Sequence, residues 1–334
     1  MSSKKKTCLT GIKPTGMPHL GNYLGAIKPA IEMANSGEYD ASYFIADYHS
    51  LTTIYDPKKL NEYIYEVAAV WLALGLDPNK SSLYKQSDIP EVMEVNWILS
   101  CFTSKGLMNR GHAYKAITQD NIDNKRDADQ NINMGIYSYP VLMSADILFL
   151  ETEIVPVGAD QLQHIEIARD IANAFNHHYG DVFTVPEALV REDGALIPGL
   201  DGRKMSKSYD NHIPLFMPEK NLKKIINKIT TNSQPPEAIK DPDDSLIFDL
   251  YKYFSNVKEE SDLNDWYKKG IGWGEAKAEL FKVINRELEG PREIYQELMQ
   301  NRSKIDEVLL QGRDKVRPKA QKFLDEVKSK IGVK

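Results

Sequence analysis

The sequence predicts an α/β fold: a Rossmann-like parallel sheet with helices on both faces, followed by an all-α C-terminal domain. Two observations predict it. In the first half, short β-branched or aromatic runs alternate with stretches of helical periodicity. Strand–helix–strand alternation implies parallel strands, whose crossovers lay helices over both faces. From about Pro218 onward the pattern changes, and no convincing strand follows. The 334 residues are enough for two domains, expected at residues 1–217 and 218–334.

Residues 7–12 read as a buried strand, and residues 43–46, 82–85 and 154–157 as three more. A helix is expected over about 21–33. Residues 60–74 carry apolar side chains at 60, 64, 67, 68, 71, 72 and 74, close to a 3.6-residue period. Pro57 suits the start of that helix and Gly75 its end. Residues 90–102 and 139–149 are further helices, and 160–179 is one long helix leading back to the sheet. In the second half, helices are expected over 218–230, 243–254, 262–269, 273–289, 291–300, 305–310 and 313–331. There is no internal repeat and no low-complexity linker.

Composition narrows the class. Hydrophobic residues are 42% and charged residues 27%, ordinary for a soluble globular protein. No run approaches the roughly 18 apolar residues of a membrane span. The basic start at Lys4, Lys5 and Lys6 lacks a following signal-peptide core and reads as a solvated tail. Two cysteines, Cys8 and Cys101, make neither a Cys-only zinc site nor a disulfide framework, so a reducing cytoplasm is expected. The net charge of −6 argues against a protein that coats nucleic acid. Residues 311–334 nevertheless carry eight Lys and Arg against three Asp and Glu, either a solvated helix face or a local nucleic-acid surface.

In parallel sheets ligands bind at the carboxyl ends of the strands, so motifs directly after strands matter most. After the first strand come Lys13-Pro14-Thr15-Gly16 and then His19-Leu20-Gly21-Asn22. This places His19, Gly21 and Asn22 at a helix N-terminus, where free N–H groups and the helix dipole favour a phosphate. Taken alone it is equally a glycine-rich turn with a surface histidine. Between the halves lies Lys204-Met205-Ser206-Lys207-Ser208, approached through Gly194, Gly199 and Gly202. Two ammonium groups and two hydroxyls on a mobile loop suit a transient polyphosphate. Tyr139, Met143 and Asp146 share one helical face. That face offers a ring, a thioether and one carboxylate acceptor to a flat apolar ligand with an N–H on its rim. The alternative is a core helix whose Asp146 pairs elsewhere. Gly158-Ala159-Asp160-Gln161 opens another helix, where Asp160 either faces a ribose or sits in the first turn of a capped helix. His49 follows the second strand and borders this region or fills the core.

Together the His19 turn and the Lys204 loop resemble the HIGH and KMSKS signatures of class I aminoacyl-tRNA synthetases. Asn22 stands where the consensus has a second His, a departure familiar in the tryptophanyl and tyrosyl branch. The 139–146 segment resembles the specificity helix of the tryptophanyl members, since tyrosyl members typically carry Gln where Met143 stands. The resemblance covers about residues 8–331 and implies an ATP-dependent ligase joining L-tryptophan to tRNA(Trp) with Mg²⁺, as a homodimer. It implies catalytic roles for His19, Lys204, Ser206 and Lys207. ATP would be held by Lys13, Pro14, Thr15, Gly21, Asn22, Gly158, Ala159, Asp160, Ile197 and the 204–208 loop with Met205 and Ser208. Tyr139, Met143, Asp146, Gln161 and His49 would bind the amino acid, and no resident metal site is expected. The basic C-terminal stripe would meet the anticodon arm. Family members often carry two lysines, two residues apart, in a loop near residues 112–118; here Lys115 is present and Ile117 replaces the second, so a partner would come from Arg110 or Lys125. Two other readings stand beside this one: tyrosine activation on the same scaffold, and a small-molecule nucleotidyltransferase. A non-catalytic duplicate kept for binding would not need Lys204, Ser206, Lys207 and Asp146 together.

Overall fold

The computed structural model describes residues 5–190 and 197–334. Lys4 and Gly194 lie outside the described residues, as does the Asp160 side chain. Five strands, β1 (Lys6–Ile12), β2 (Tyr39–Ile45), β3 (Ser82–Lys85), β4 (Ile154–Val157) and β5 (Glu187–Val190), form one parallel sheet. Their order is β3-β2-β1-β4-β5. The chain winds outward from β1 to β3, then returns to the other side of β1. The order therefore reverses between β1 and β4, which opens a crevice at their carboxyl ends. The His19 turn after β1, expected to face a phosphate, and Gly158 after β4, expected on the ribose side, both lie at that reversal.

The first half contains α1 (Leu20–Asn22), which passes through a π-turn (Tyr23–Ile27) into α2 (Lys28–Asn35). It continues with α3 (Asp47–Ser50), α4 (Pro57–Ala73), α5 (Glu91–Ser100), α6 (Lys105–Met108), α7 (His112–Asp123), α8 (Met134–Leu148) and α9 (Leu162–Tyr179). The second half is α10 (Glu219–Ile226), α11 (Leu246–Lys252), α12 (Val257–Lys269), α13 (Trp273–Gln300) and α14 (Arg302–Lys330). Asp56 caps α4 by accepting from the Lys58 and Lys59 N–H groups, and Pro57 occupies its first position. The face of α4 lined by Val67, Ala68, Val70 and Trp71 is fully buried beneath the sheet, each large side chain contributing about 1.5–3 kcal/mol.

The elements differ from the sequence reading at several points; α12, for one, starts at Val257 rather than Asp262, capped by Asn256. β5 was not expected: its four residues Glu-Ala-Leu-Val are half exposed, and pairing with β4 alone makes them a strand. α8 starts at Met134 rather than Tyr139, because Asn133 accepts from the Ile136 N–H at 2.8 Å and caps it; Pro140 sits inside. The segment around Lys115 is helical, not a loop. The expected breaks before Pro291 and at 310–313 are absent, since α13 and α14 run unbroken through Pro291 and Pro318. Tertiary packing overrides the local cost of a proline.

α14 explains that override. It returns to the sheet and lies against β3 and α5. A Cβ at Gly312 would stand 1.9 Å from the Leu83 carbonyl oxygen, so only glycine lets the helix backbone meet the edge strand this closely. The basic residues of this helix are largely engaged with the first half of the chain. Arg317 meets Glu91 at 2.9 Å, Lys319 meets Asp40 at 3.0 Å and Lys328 meets Glu94 at 2.9 Å, while Lys315 donates to the Pro78 carbonyl at 2.7 Å. Lys322 and Lys330 form no ion pair among the described residues. No helix among the described residues is long and apolar enough to cross a membrane.

Candidate active site

The turn after β1 is shaped by its own side chains. His19 is the N-cap of α1: its Nδ1 accepts from the Asn22 N–H at 3.2 Å, and Asn22 Oδ1 accepts from the His19 N–H at 3.1 Å. This reciprocal pair is a capping box. With Nδ1 committed as acceptor, the neutral ring carries its proton on Nε2 and donates there. Burial, with smaller contributions from His212, Lys207 and Lys204, lowers the His19 pKa to about 4. The ring is therefore neutral near pH 7, a hydrogen-bond donor rather than a cation.

One expectation is corrected here. The N–H groups at the start of α1 are not free. Leu20 donates to the Ile213 carbonyl at 2.9 Å, Gly21 to Met205 Sδ at 3.3 Å and Asn22 to His19. A thioether is a weak acceptor, so the Gly21 N–H is the one an incoming oxygen can most readily claim. A Cβ at Gly21 would lie 3.0 Å from His19 Nδ1 and 3.3 Å from Met205 Cβ.

The Lys204 loop folds onto this turn. Met205 is buried, and its N–H donates to the Ile197 carbonyl at 2.9 Å. Ser206 caps the short turn that follows by accepting from the Ser208 N–H at 3.2 Å. Lys207 Nζ donates to the Thr15 carbonyl at 2.9 Å, and partial burial lowers its pKa. The chain beyond the loop passes beside the His19 turn, pairing Pro214 with His19 and donating from the Leu215 N–H to Pro18. The loop therefore stands over the strand-end cleft, with Lys204 exposed.

On the other side of the cleft, Asp146 is buried and partnered. Gln86 Nε2 donates to both its oxygens at 2.8 and 2.9 Å, and His49 Nε2 lies 2.9 Å from Oδ2. Burial is the largest influence on Asp146 and raises its pKa; the hydrogen bonds from His49 and Gln86 oppose the rise. Tyr139 OH meets His164 Nε2 at 2.7 Å, and Met143 is half-buried beside the core. Asp47 holds this wall in place, accepting from the Ser87 N–H at 3.0 Å and the Tyr48 N–H at 2.9 Å. It thus ties the end of β2 to the end of β3, from which Gln86 projects. A continuous run of contacts joins both sides of the cleft. Lys207 reaches Thr15; two residues earlier, Lys13 Nζ donates to Thr52 Oγ1 at 3.2 Å; Thr52 donates to the His49 carbonyl at 2.8 Å; His49 meets Asp146. Pro14 belongs to the same turn, its carbonyl accepting from Ser50 Oγ at 3.5 Å.

Gly158, Ala159, Asp160 and Gln161 lie at the carboxyl end of β4, where a short 3₁₀ turn leads into α9. Gln163 braces the neighbouring segment, accepting from the His112 N–H at 3.0 Å and donating to the Arg110 carbonyl at 3.1 Å. Lys115 is exposed on α7, and Lys125 sits in the left-handed region with φ 56°. Two residues that organise the site carry no motif of their own: Gln86 and Asn211. Gln86 follows an expected strand end, and that position was the one signal for it.

The reversed strand order, a neutral histidine at the first crossover and a two-lysine loop folded upon it are the arrangement of a nucleotide-binding enzyme that handles a polyphosphate. Residues 1–289 match the family model for tRNA synthetases class I (W and Y), and the chain belongs to that family. A tryptophan–tRNA ligase of Neisseria meningitidis is 49% identical over 331 residues, 99% of this chain and 98% of that protein. The tryptophanyl-tRNA synthetase of Campylobacter jejuni, solved with ADP and tryptophan, superposes with a TM-score of 0.90 at 43% identity, covering 98% of this chain and 99% of that one. A tyrosyl-tRNA synthetase of Archaeoglobus fulgidus, at 19% identity and a TM-score of 0.63 over 88% of this chain and 91% of that one, shares the fold.

Proposed function

We propose that the chain activates L-tryptophan with ATP, forming tryptophanyl-adenylate and diphosphate, and then transfers the amino acid to tRNA(Trp), releasing AMP. The observation that carries this reading is Asp146: a buried carboxylate, gripped by Gln86 and His49 on the helix face shared with Tyr139 and Met143, beside a cleft bordered by His19 and Lys207. An indole N–H is a donor only, and a carboxylate oxygen can accept it. A ligand lacking that donor would forgo this bond and bind more weakly. Gln161 is assigned to the substrate ammonium.

In the first step a tryptophan carboxylate oxygen attacks the α-phosphorus, and the bond to the β-phosphate's bridging oxygen breaks. No protein nucleophile is needed; positioning and charge stabilisation do the work. Lys204 and Lys207 take the charge that moves onto diphosphate, with Ser206 and Ser208 donating to its oxygens, and His19 donates from Nε2. Lys13, Pro14, Thr15, Gly21 and Asn22 border the nucleotide on one side; Gly158, Ala159, Asp160, Ile197 and Met205 border it on the other. Among the described residues no group of three or more His, Cys, Asp or Glu could hold a metal ion; a Mg²⁺ carried in on the phosphates would neutralise their charge.

Residues 1–217 would form the catalytic unit and 218–334 the tRNA-binding unit, working in the cytoplasm. A homodimer is part of the proposal. An apolar groove of about 740 Å³ between α5 and the chain's end, lined by Met93, Trp97, Phe102, Tyr179 and Val333, leaves Trp97 71% exposed. That face is one a second copy would cover. ATP–diphosphate exchange against all twenty amino acids tests the central claim. Exchange driven by tryptophan alone is expected. Faster exchange with tyrosine, or none with any amino acid, overturns it.

A further inference from the structure

The Lys204 loop is held in shape by one side chain outside its signature. Asn211 is 3% exposed, and its amide is saturated by the loop itself. Its Oδ1 accepts from the Ser206 N–H at 2.8 Å. Its Nδ2 donates to the Lys204 carbonyl at 3.1 Å and to Asp201 Oδ1 at 2.7 Å, with a longer contact to the Arg203 carbonyl at 3.4 Å. Asp201 is fixed in turn by Arg203, whose Nε donates to it at 2.7 Å and whose backbone N–H donates at 3.1 Å. The Asn211 carbonyl accepts from the Leu200 N–H at 2.8 Å. Gly199 lies flat on the amide: a Cβ there would stand 2.4 Å from Asn211 Cγ.

This geometry has a definite consequence. The amide grips the backbone on both flanks of Met205, at Lys204 and at Ser206. Fixing those two peptides sets the directions in which the Lys204 and Lys207 side chains leave the chain, while Met205 points inward to Gly21. Because each bond closes within residues 199–211, the loop can approach or leave the cleft without any of them breaking. We propose that Asn211 is the positioning residue of this loop: it makes residues 199–211 a rigid flap that presents both lysines to the polyphosphate as one unit. It touches no reacting atom and acts through Lys204 and Ser206. The kinetic part of the proposal rests on the tryptophan-activation reading; the structural part does not.

The test uses the full chain and three variants. Asn211→Asp keeps the shape and the Ser206 acceptor but removes the donor to Lys204 and sets a carboxylate against Asp201. The double variant Asn211→Asp/Asp201→Asn restores a donor–acceptor pair between the two positions. Gly199→Ala attacks the same contact from the opposite side. A misplacement of about 1 Å at reacting groups can cost about 100-fold. Asn211→Asp should therefore lose about 100-fold in the kcat of tryptophan-dependent exchange, with the KM for tryptophan within about twofold, whereas a merely structural defect would move both. Gly199→Ala should show the same split, and the double variant should regain about tenfold. Trypsin should cut after Arg203, Lys204 or Lys207 about tenfold faster in Asn211→Asp than in the parent, with the rest of the chain intact. Equal trypsin rates overturn the proposal, as does exchange in Asn211→Asp within about threefold of the parent, or a loss the double variant leaves unrelieved. Absence of tryptophan exchange in the parent chain counts against the activity reading instead, and the trypsin comparison then decides this one alone.

Discussion

Met205 Sδ lies 3.3 Å from the Gly21 N–H, so a side chain of the second signature occupies the donor offered by the first. The two motifs, more than 180 residues apart in the chain, are in direct contact. An incoming phosphate oxygen is a far better acceptor than a thioether, and it gains the Gly21 donor at little loss to the loop.

Gly21→Ala tests that relationship. The added methyl would press on His19 Nδ1 at 3.0 Å and on Met205 Cβ at 3.3 Å, displacing both the cap and the loop. The KM for ATP in diphosphate exchange should rise about tenfold or more, while tryptophan binding followed by fluorescence stays within about twofold. An unchanged KM for ATP would show that nucleotide does not approach this turn.

Gln86→Ala removes both hydrogen bonds that Gln86 makes to Asp146. A buried carboxylate that loses its donors costs about 1–3 kcal/mol, so the melting temperature should fall. Asp146 would also swing from its present position, and discrimination of tryptophan over phenylalanine, measured as a ratio of kcat/KM, should fall by about tenfold or more. Preserved discrimination would mean that His49 alone orients the carboxylate.

His19 supplies a pH test. The folded chain keeps this ring neutral down to about pH 4, because burial and the nearby His212, Lys207 and Lys204 oppose a charge. The unfolded chain protonates it near 6.5. Stability from this source is whole above pH 6.5 and is lost as pH falls from 6.5 towards 4, by up to about 3 kcal/mol. His19→Asn retains a capping side chain and removes the titration. The stability advantage of the parent over this variant, from urea midpoints, should shrink by about 2 kcal/mol between pH 7 and pH 5. A difference that does not vary with pH would contradict the neutral ring.

The basic C-terminal helix separates into two sets. Arg317 is paired with the buried Glu91, so Arg317→Glu should lower stability by about 1–3 kcal/mol before any tRNA is present. Lys322→Glu and Lys330→Glu break no ion pair and should leave stability within about 0.5 kcal/mol. If the anticodon arm lies on this helix, each should lower the slope of log affinity for tRNA against log salt by about one. Unaltered slopes in both place the tRNA elsewhere.

The parts of this molecule that a reader of the sequence could find are those whose signal is local. Four strands announced themselves by composition, and the order of the His19 and Lys204 motifs pointed to a cleft before any coordinates did. β5 did not, because half-exposed residues carry little pattern and its strand character comes from β4. Pro291 and residues 310–313 suggested breaks that burial of the surrounding helix faces overrides. Gln86 and Asn211 were invisible for a different reason: a lone amide has no preferred chemistry until topology brings a carboxylate or a peptide group to it. The charge stripe on α14 was legible as charge, but its partners Asp40, Glu91 and Glu94 sit more than 220 residues away in the chain.

Gly312 and the Leu83 carbonyl bring the end of the chain against the open edge of the sheet. During synthesis, β3 is made long before α14, so the nucleotide-binding half waits with one border unsealed until α14 emerges. Folding of the first half and synthesis of α14 are thereby coupled, and a ribosome that stops short of residue 312 releases a sheet with a bare margin, open to a neighbour's strand.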